Sequence, residues 1–402
     1  MVRGQVHRGT PTDYEIELER IDRDIRELED GALTIPIDVE EATRFAYRLY
    51  GRVSLTGNLA GFEVVQTVID DTMRQVGPWA DLCLLKANLD FKLHRLADAR
   101  RDLEMVPGLA DIPQARALRA DLDLQQGRYE DARAGYENAI QENRTWDNLA
   151  RLAYFKARMG DGEGAERLYV EAQDEITAKE MRSYAWVELQ RGLLDLAYGR
   201  YAYVWAHYGR AAEAYSGYWL VDEHIAGLLG AQGKCDQAVA LYERVAARVP
   251  RPDLQQAVGD MYVSLGQPYR ARPWYEKALA AYLESARRGD VHYLHHLAAF
   301  YAEVRHNGSE AVRWAREDLR LRQNFSTQAA LAWALYRAGR FAEALATMHQ
   351  ALSSGVRDAK LFFRAAMIYR AAGRTDAGAR FFREAAEINP RYLDVHYSGT
   401  AP

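Results

Sequence analysis

The 402-residue chain is 49% hydrophobic and 27% charged, and its net charge of −5 comes from interleaved acidic and basic residues. This composition can bury a large core and excludes a disordered chain, and the lack of a basic stripe argues against a grip on nucleic-acid phosphates. No apolar run has the length of a membrane span, and the opening MVRGQVHRGTPTDYEIELER lacks an apolar signal-peptide centre, so no membrane insertion and a cytoplasmic location are expected.

Residues 1–40 read as an N-terminal arm. Its first eleven residues are polar, and Thr12 with Glu15 forms a capping box opening a helix that ends near Gly31. Leu18, Ile21, Ile25 and Leu28 make one narrow apolar stripe. The expected role is a short amphipathic helix that caps the first hairpin, with docking to a partner as the alternative. Residues 34–40, with Pro36, read as a linker, and residues 41–77 as a degenerate helical hairpin turning near Gly57.

From 78 to 390 a unit of 33–34 residues recurs about nine times. A turn glycine is followed five positions later by a small residue in Gly127/Ala132, Gly160/Ala165, Gly233/Ala238, Gly266/Ala271, Gly339/Ala344 and Gly373/Gly378. Gly199/Val204, His306/Ala311 and His94/Ala99 keep half of that pair. Twelve residues before each second position stand Ala87, Ala120, Ala153, Gly192, Ala226, Gly259, Ala299, Ala332 and Ala366. Helices that cross closely need small side chains at the contact, because bulk there sets the interaxial distance. Tyr136, Tyr169, Tyr208, Tyr242 and Tyr275 lie one helical turn beyond the second small position, where a ring fills the gap between successive hairpins. A fixed period of this length means stacked helical hairpins, so the fold class is all-α.

The pattern resembles the tetratricopeptide repeat, most closely in GRYEDARAGYENAI (127–140), GRFAEALATMHQAL (339–352) and GKCDQAVALYERV (233–245). The resemblance implies a right-handed superhelical solenoid of bacterial type, with residues 391–402 as a C-terminal tail. It implies a non-enzymatic scaffold or adaptor that binds a protein or peptide in its concave groove. Carried over by register, the groove face is Asn88, Phe91, Lys92, Tyr154, Arg158, Trp186, Tyr293, His296, Phe300, Trp333, Tyr336 and Arg337. A ligand- or peptide-sensing regulator is the alternative reading. The last helix carries Phe381 and Phe382 and leaves a chain end that a homodimer or partner contact would cover.

Irregularities are the remaining signals. The spacings Ala165–Val204 and Ala271–Ala311 are stretched, and the added residues are expected near 173–184 and 279–291. Between Tyr184 and Trp219 the aromatic density is high. Tyr198, Tyr203, Trp205, Tyr215 and Tyr218 exceed what the repeat demands, as filler for a wider joint or as a protein-binding patch. GDGEGA at 160–165 imitates a phosphate loop but falls on a repeat turn, without the preceding strand that a dinucleotide site needs. His292 and His296 have a spacing that can share a metal, but no HExxH accompanies them. A metal-binding accessory factor is therefore the third reading, and the expectation is no metal, no cofactor and no catalytic residue. Cys83 and Cys235 lie far apart, which fits two free thiols in a reducing compartment.

Overall fold

The computed structural model describes residues 10–32 and 36–392, and every regular element among them is helical. Helix α1 (Asp13–Ala32) precedes a series of antiparallel pairs. The first pair is α2 (Val39–Thr56) with α3 (Gly61–Val76), followed by α4 (Ala80–Lys92) with α5 (Leu96–Glu104) and α6 (Pro113–Gln125) with α7 (Tyr129–Glu142). Next come α8 (Trp146–Met159) with α9 (Gly162–Asp174), α10 (Met181–Ala197) with α11 (Tyr201–Ala214) and α12 (Trp219–Ala231) with α13 (Cys235–Arg248). The series continues with α14 (Pro252–Ser264) and α15 (Pro268–Arg287), α16 (Leu294–Glu303) and α17 (Gly308–Leu321), then α18 (Phe325–Arg337) and α19 (Phe341–Leu352). It closes with α20 (Ala359–Ala371) and α21 (Thr375–Ile388). Residues 1–9, 33–35 and 393–402 of the expected arm, linker and tail lie outside the described residues.

The small residues do the packing work that their spacing demands. Ala87, Ala153, Ala226, Ala332 and Ala366 are wholly buried at helix crossings, and a Cβ on Gly259 would lie 2.5 Å from the Tyr275 ring. Of the rings opposite, Tyr136 is buried and donates to Asp121, and half-buried Tyr275 donates to Asp260, each at 2.7 Å.

One unit departs from the expected register. Ala299 is exposed, and Ala298 occupies the buried crossing position beside Ala302. The cause is an extra residue in the α16–α17 turn. There the Asn307 amide reaches back to the Tyr301 carbonyl, whereas in the ordinary turn Arg128 reaches only to Asp123. The stretched joints also resolve differently from each other. The first becomes a loop over 175–180 and a 17-residue α10, while the second lengthens α15 to 20 residues.

Successive turns of the superhelix touch. The Gln323 amide donates to the Gln125 carbonyl at 3.0 Å, the Gln126 side chain donates to the Leu321 carbonyl at 2.8 Å, and the Tyr129 hydroxyl accepts from the Phe325 amide at 2.7 Å. The Trp219 indole donates to the Leu55 carbonyl at 2.9 Å, and the Asn389 side chain donates to the Leu196 carbonyl at 3.3 Å. Partners lie 164 to 196 residues apart in these side-chain bonds, which is about five or six repeat lengths per turn. The hairpins therefore wind around a lumen whose wall is stitched along a seam.

Helix α1 belongs to that seam. Thr12 and Glu15 form the reciprocal cap, with the Thr12 amide donating to Glu15 at 2.8 Å. The helix packs on α2, and it also reaches the α11–α12 loop one turn on. There Asp13 accepts from the Ser216 amide at 2.9 Å, and buried Ile21 joins Tyr215, Tyr218 and Trp219.

Candidate functional site

The first helix of each pair turns one stripe towards the lumen. Counted from the crossing residue, the stripe falls at positions −6, −2, +1 and +5, the i, i+4, i+7, i+11 face of a helix. In α8 it carries Asp147, Arg151, Tyr154 and Arg158; in α20 it begins with Lys360 and Arg364. With the corrected crossing residue in α16 it reads His292, His296, Ala299 and Glu303.

These groups touch solvent but have lost much of its stabilisation. Burial raises the Asp147 carboxyl to about 6, the Glu223 carboxyl to about 7 and the Asp260 carboxyl to about 6. It also lowers the Arg151 guanidinium to about 10. Lys360 is held down to about 8, first by the Arg364 guanidinium and then by its surroundings. Lys360 and Tyr154 nevertheless keep more than a third of their surface open. Both properties fit a narrow, partly dehydrated lumen, where charge–charge effects exceed those on an outer surface.

Of the expected groove residues, Lys92, Tyr154, Arg158 and His296 stand on this stripe, as do Asn88, Trp186, Trp333 and Arg337, with Lys92 over the Tyr50 ring at 5.4 Å and Arg158 over Phe325 at 5.1 Å. Asn88 is half-buried and donates to the Leu84 carbonyl at 2.9 Å. Phe91 and Trp186 are half-buried packing residues, Trp186 lying edge-on to Trp146. Arg337 is turned to His306 at 2.6 Å, and Tyr336 stacks on Trp333. Three others are corrected. Phe300 is fully buried between Tyr275 and Tyr282, Tyr293 is buried against Tyr282, and Trp333 is buried beneath Arg364. For Phe300 and Tyr293 the reason is the one-residue register slip, which turns the expected outward positions into the core.

The five extra aromatics do not form one surface. Tyr215 and Tyr218 are buried under α1, the Tyr215 hydroxyl donating to Glu17. Tyr198 fills the joint against Gly162 and donates to the Gly160 carbonyl at 3.4 Å, while the Trp205 indole donates to Gln232 at 3.4 Å. Only Tyr203 of the five is open, at 63%.

Arg151, Lys360 and Arg364 were not among the groove residues expected from sequence, most of which stand at +1, +4 and +5. The signal available was the charged pairing at −6 and −2, repeated as Asp147/Arg151 and Lys360/Arg364. Lys360, Arg364, Arg158 and Arg322 converge on a cavity of about 310 Å³. Arg322 is neutralised by Asp318 at 2.8 Å, and Arg364 approaches Glu303 only at 3.9 Å. Among the described residues no group of three or more His, Cys, Asp or Glu is placed to share an ion. His296 stacks on Tyr282 at 5.5 Å. No described helix is long and apolar enough to cross a membrane.

Residues 326–357 and 359–392 each match the tetratricopeptide repeat. This is a tetratricopeptide-repeat protein. The matched segments are the α18–α19 and α20–α21 hairpins, which supply Lys360 and Arg364. No curated protein sequence matches the chain. Among solved structures, one similar to it is the APC/C hetero-tetramer Cut9-Hcn1, at 13% identity and a TM-score of 0.42, covering 96% of this chain and 94% of that one. Another is an IFIT1 monomeric mutant with Gppp-AAAA, at 15% identity, a TM-score of 0.45 and coverage of 92% and 95%. MamA protein aligns at 16% identity and a TM-score of 0.33 over 44% of this tetratricopeptide-repeat chain and 94% of its own. Likenesses this distant carry no functional argument.

Proposed function

We propose that this tetratricopeptide-repeat protein is a non-enzymatic scaffold that holds an extended segment of a protein partner along its lumen. The observation supporting this reading is the charged stripe of α4, α8 and α20, whose side chains reach solvent yet are already partly dehydrated. A partner's charged groups entering such a surface meet fixed counter-charges and displace little structured water, which favours recognition. Cations alternate with Asp147, Asp260 and Glu303, so the lumen fits a segment of mixed charge better than the uniform charge of a nucleic-acid backbone. A photo-crosslinking residue at Tyr154 should capture a specific protein from the native lysate. The same residue at Tyr269, which is 75% exposed on the outside, should not. Capture from Tyr269 alone would sink the lumen reading.

A further inference from the structure

We propose that the cavity between α8, α18 and α20 binds a compact, multiply charged oxyanion that bridges Arg158 of one superhelical turn to Lys360 and Arg364 of the next. The inference does not require a protein segment to occupy the lumen. Four cations line the cavity, Arg158, Arg322, Lys360 and Arg364, against two carboxylates, Asp318 and Asp358. Both carboxylates are already committed. Asp318 takes Arg322 at 2.8 Å, and Asp358 accepts from the Leu361 amide at 2.7 Å as the cap of α20. Among the described residues no carboxylate forms an ion pair with Arg158 or Lys360, although Asp358 and Glu303 attract Lys360 at longer range. Arg322 is paired and Arg364 has only the 3.9 Å approach of Glu303, so Arg158 and Lys360 stand among like charges in a confined space without a close counter-ion, an arrangement that costs stability unless a ligand fills it.

Geometry adds to charge. The guanidinium carbons of Arg158 and Arg364 sit over the Phe325 and Trp333 rings, at 5.1 and 5.2 Å from their centroids, which helps to hold the two groups at the cavity. Planar guanidinium edges suit bidentate binding of a carboxylate or phosphate, with the Lys360 ammonium as a point charge between them. The Tyr154 side chain lines the same space. Because Arg158 stands on α8 and the other two on α20, an anion held by all three would fasten one turn to the next. The cation crowding that pushes the Lys360 ammonium down to about 8 is the effect such an anion would cancel.

The test uses the full chain with sodium pyrophosphate and with citrate, at ionic strength matched by sodium chloride. Melting temperature and Trp fluorescence are recorded, and Lys360→Gln and Arg158→Gln are compared with the unaltered chain. One or both anions should raise the melting temperature in a saturable way, since a ligand that binds only the folded state stabilises it by mass action. Response to pyrophosphate alone identifies a phosphate ligand, and response to citrate alone a polycarboxylate. Either substitution should weaken binding at least tenfold. Without anion, Lys360→Gln should melt no lower than the unaltered chain, because it removes repulsion; a purely structural lysine would show a loss there. The proposal is overturned if neither anion shifts melting beyond the chloride control, or if both variants keep the full shift.

Discussion

The backbone amide of Gln323 donates to the carbonyl of Gln125 at 3.0 Å, tying the α17–α18 turn to the end of α6 one full superhelical turn away. At the same place the Gln323 carbonyl oxygen lies 2.7 Å from where a Cβ on Gly127 would stand, and the Arg357 carbonyl lies equally close to Gly160. Neighbouring turns approach to backbone contact there, and a side chain would wedge them apart.

Gly127→Ala and Gly160→Ala should therefore cost more than Gly266→Ala and Gly339→Ala. All four glycines have positive φ, so each substitution carries about 1–2 kcal/mol of left-handed strain. Only the first pair adds a steric clash, since a Cβ on Gly266 or Gly339 meets nothing within 4 Å. Denaturant unfolding checks the order, and small-angle scattering should show a larger radius of gyration for the first pair alone. Equal losses across the four would refute the seam argument.

The histidines between turns make the structure acid-sensitive. His94 and His295 face each other at 5.6 Å, and the Nδ1 atoms of both, with Nε2 of His292, are buried without a hydrogen-bond partner. Burial is the first cause that lowers all three, His94 to about 3 and His292 to about 4, with Arg322 facing His94 and His295 and with Asp290 and Arg251 beside His292. Their folded pKa values lie below the unfolded one near 6.5, so the folded state binds fewer protons. Their contribution is fully present above about 6.5 and is lost as pH falls towards 3–4. Melting temperature should drop over that window, and His94→Asn, which tolerates the positive φ of 60° at this position, should flatten the slope.

Glu188 anchors the opposite pH dependence. Wholly buried in α10, it accepts from Gln173 at 2.7 Å, from Arg210 at 2.9 and 3.0 Å, and pairs with His207. Burial pushes Glu188 up, but the bonds from His207, Arg210 and Gln173 together outweigh it and hold the carboxyl at about 2. Burial pushes His207 down, but its bonds to Asp195 and Glu188 leave it raised. A raised histidine stabilises fully below the unfolded pKa of about 6.5 and stops doing so as pH rises through the folded value, while Glu188 stabilises above about 4.5. Glu188→Gln should lose about 1–3 kcal/mol, because it removes the buried carboxylate that His207 and half-exposed Arg210 share, while Asp195 still holds His207. It should also weaken the alkaline fall due to His207, which Asp195 then sustains alone, as urea unfolding at pH 6 and pH 9 would register.

Ile21→Asp should release α1. Ile21 is 5% exposed in the cluster that holds Tyr215, Tyr218 and Trp219, so a carboxylate there loses about 2–5 kcal/mol of packing and adds an unpaired charge. Limited proteolysis should then cut within residues 13–32 while the repeats persist. Protection of that segment in the variant would show that α1 is not held by this contact.

The sequence alone determined the hairpins, because local chemistry suffices for them. Small residues at a fixed spacing permit close crossings, rings one turn on fill the gaps, and Gly127 or Gly233 ends a helix through its positive φ. What lay beyond one period was not legible. Gly127 and Gly233 look alike in sequence, yet one meets a second turn of the chain and the other meets open space. The single inserted residue near His306 was invisible to spacing measured between small residues, because Ala298 and Ala299 are neighbours, and it buried Phe300 and Tyr293. Tyr215 and Tyr218 read as surplus because α1, nearly two hundred residues earlier, is what covers them. Superhelical pitch sets these meetings, and it accumulates small rotations over many hairpins. Only the assembled tertiary structure could decide that Arg158 stands across from Lys360 and Arg364.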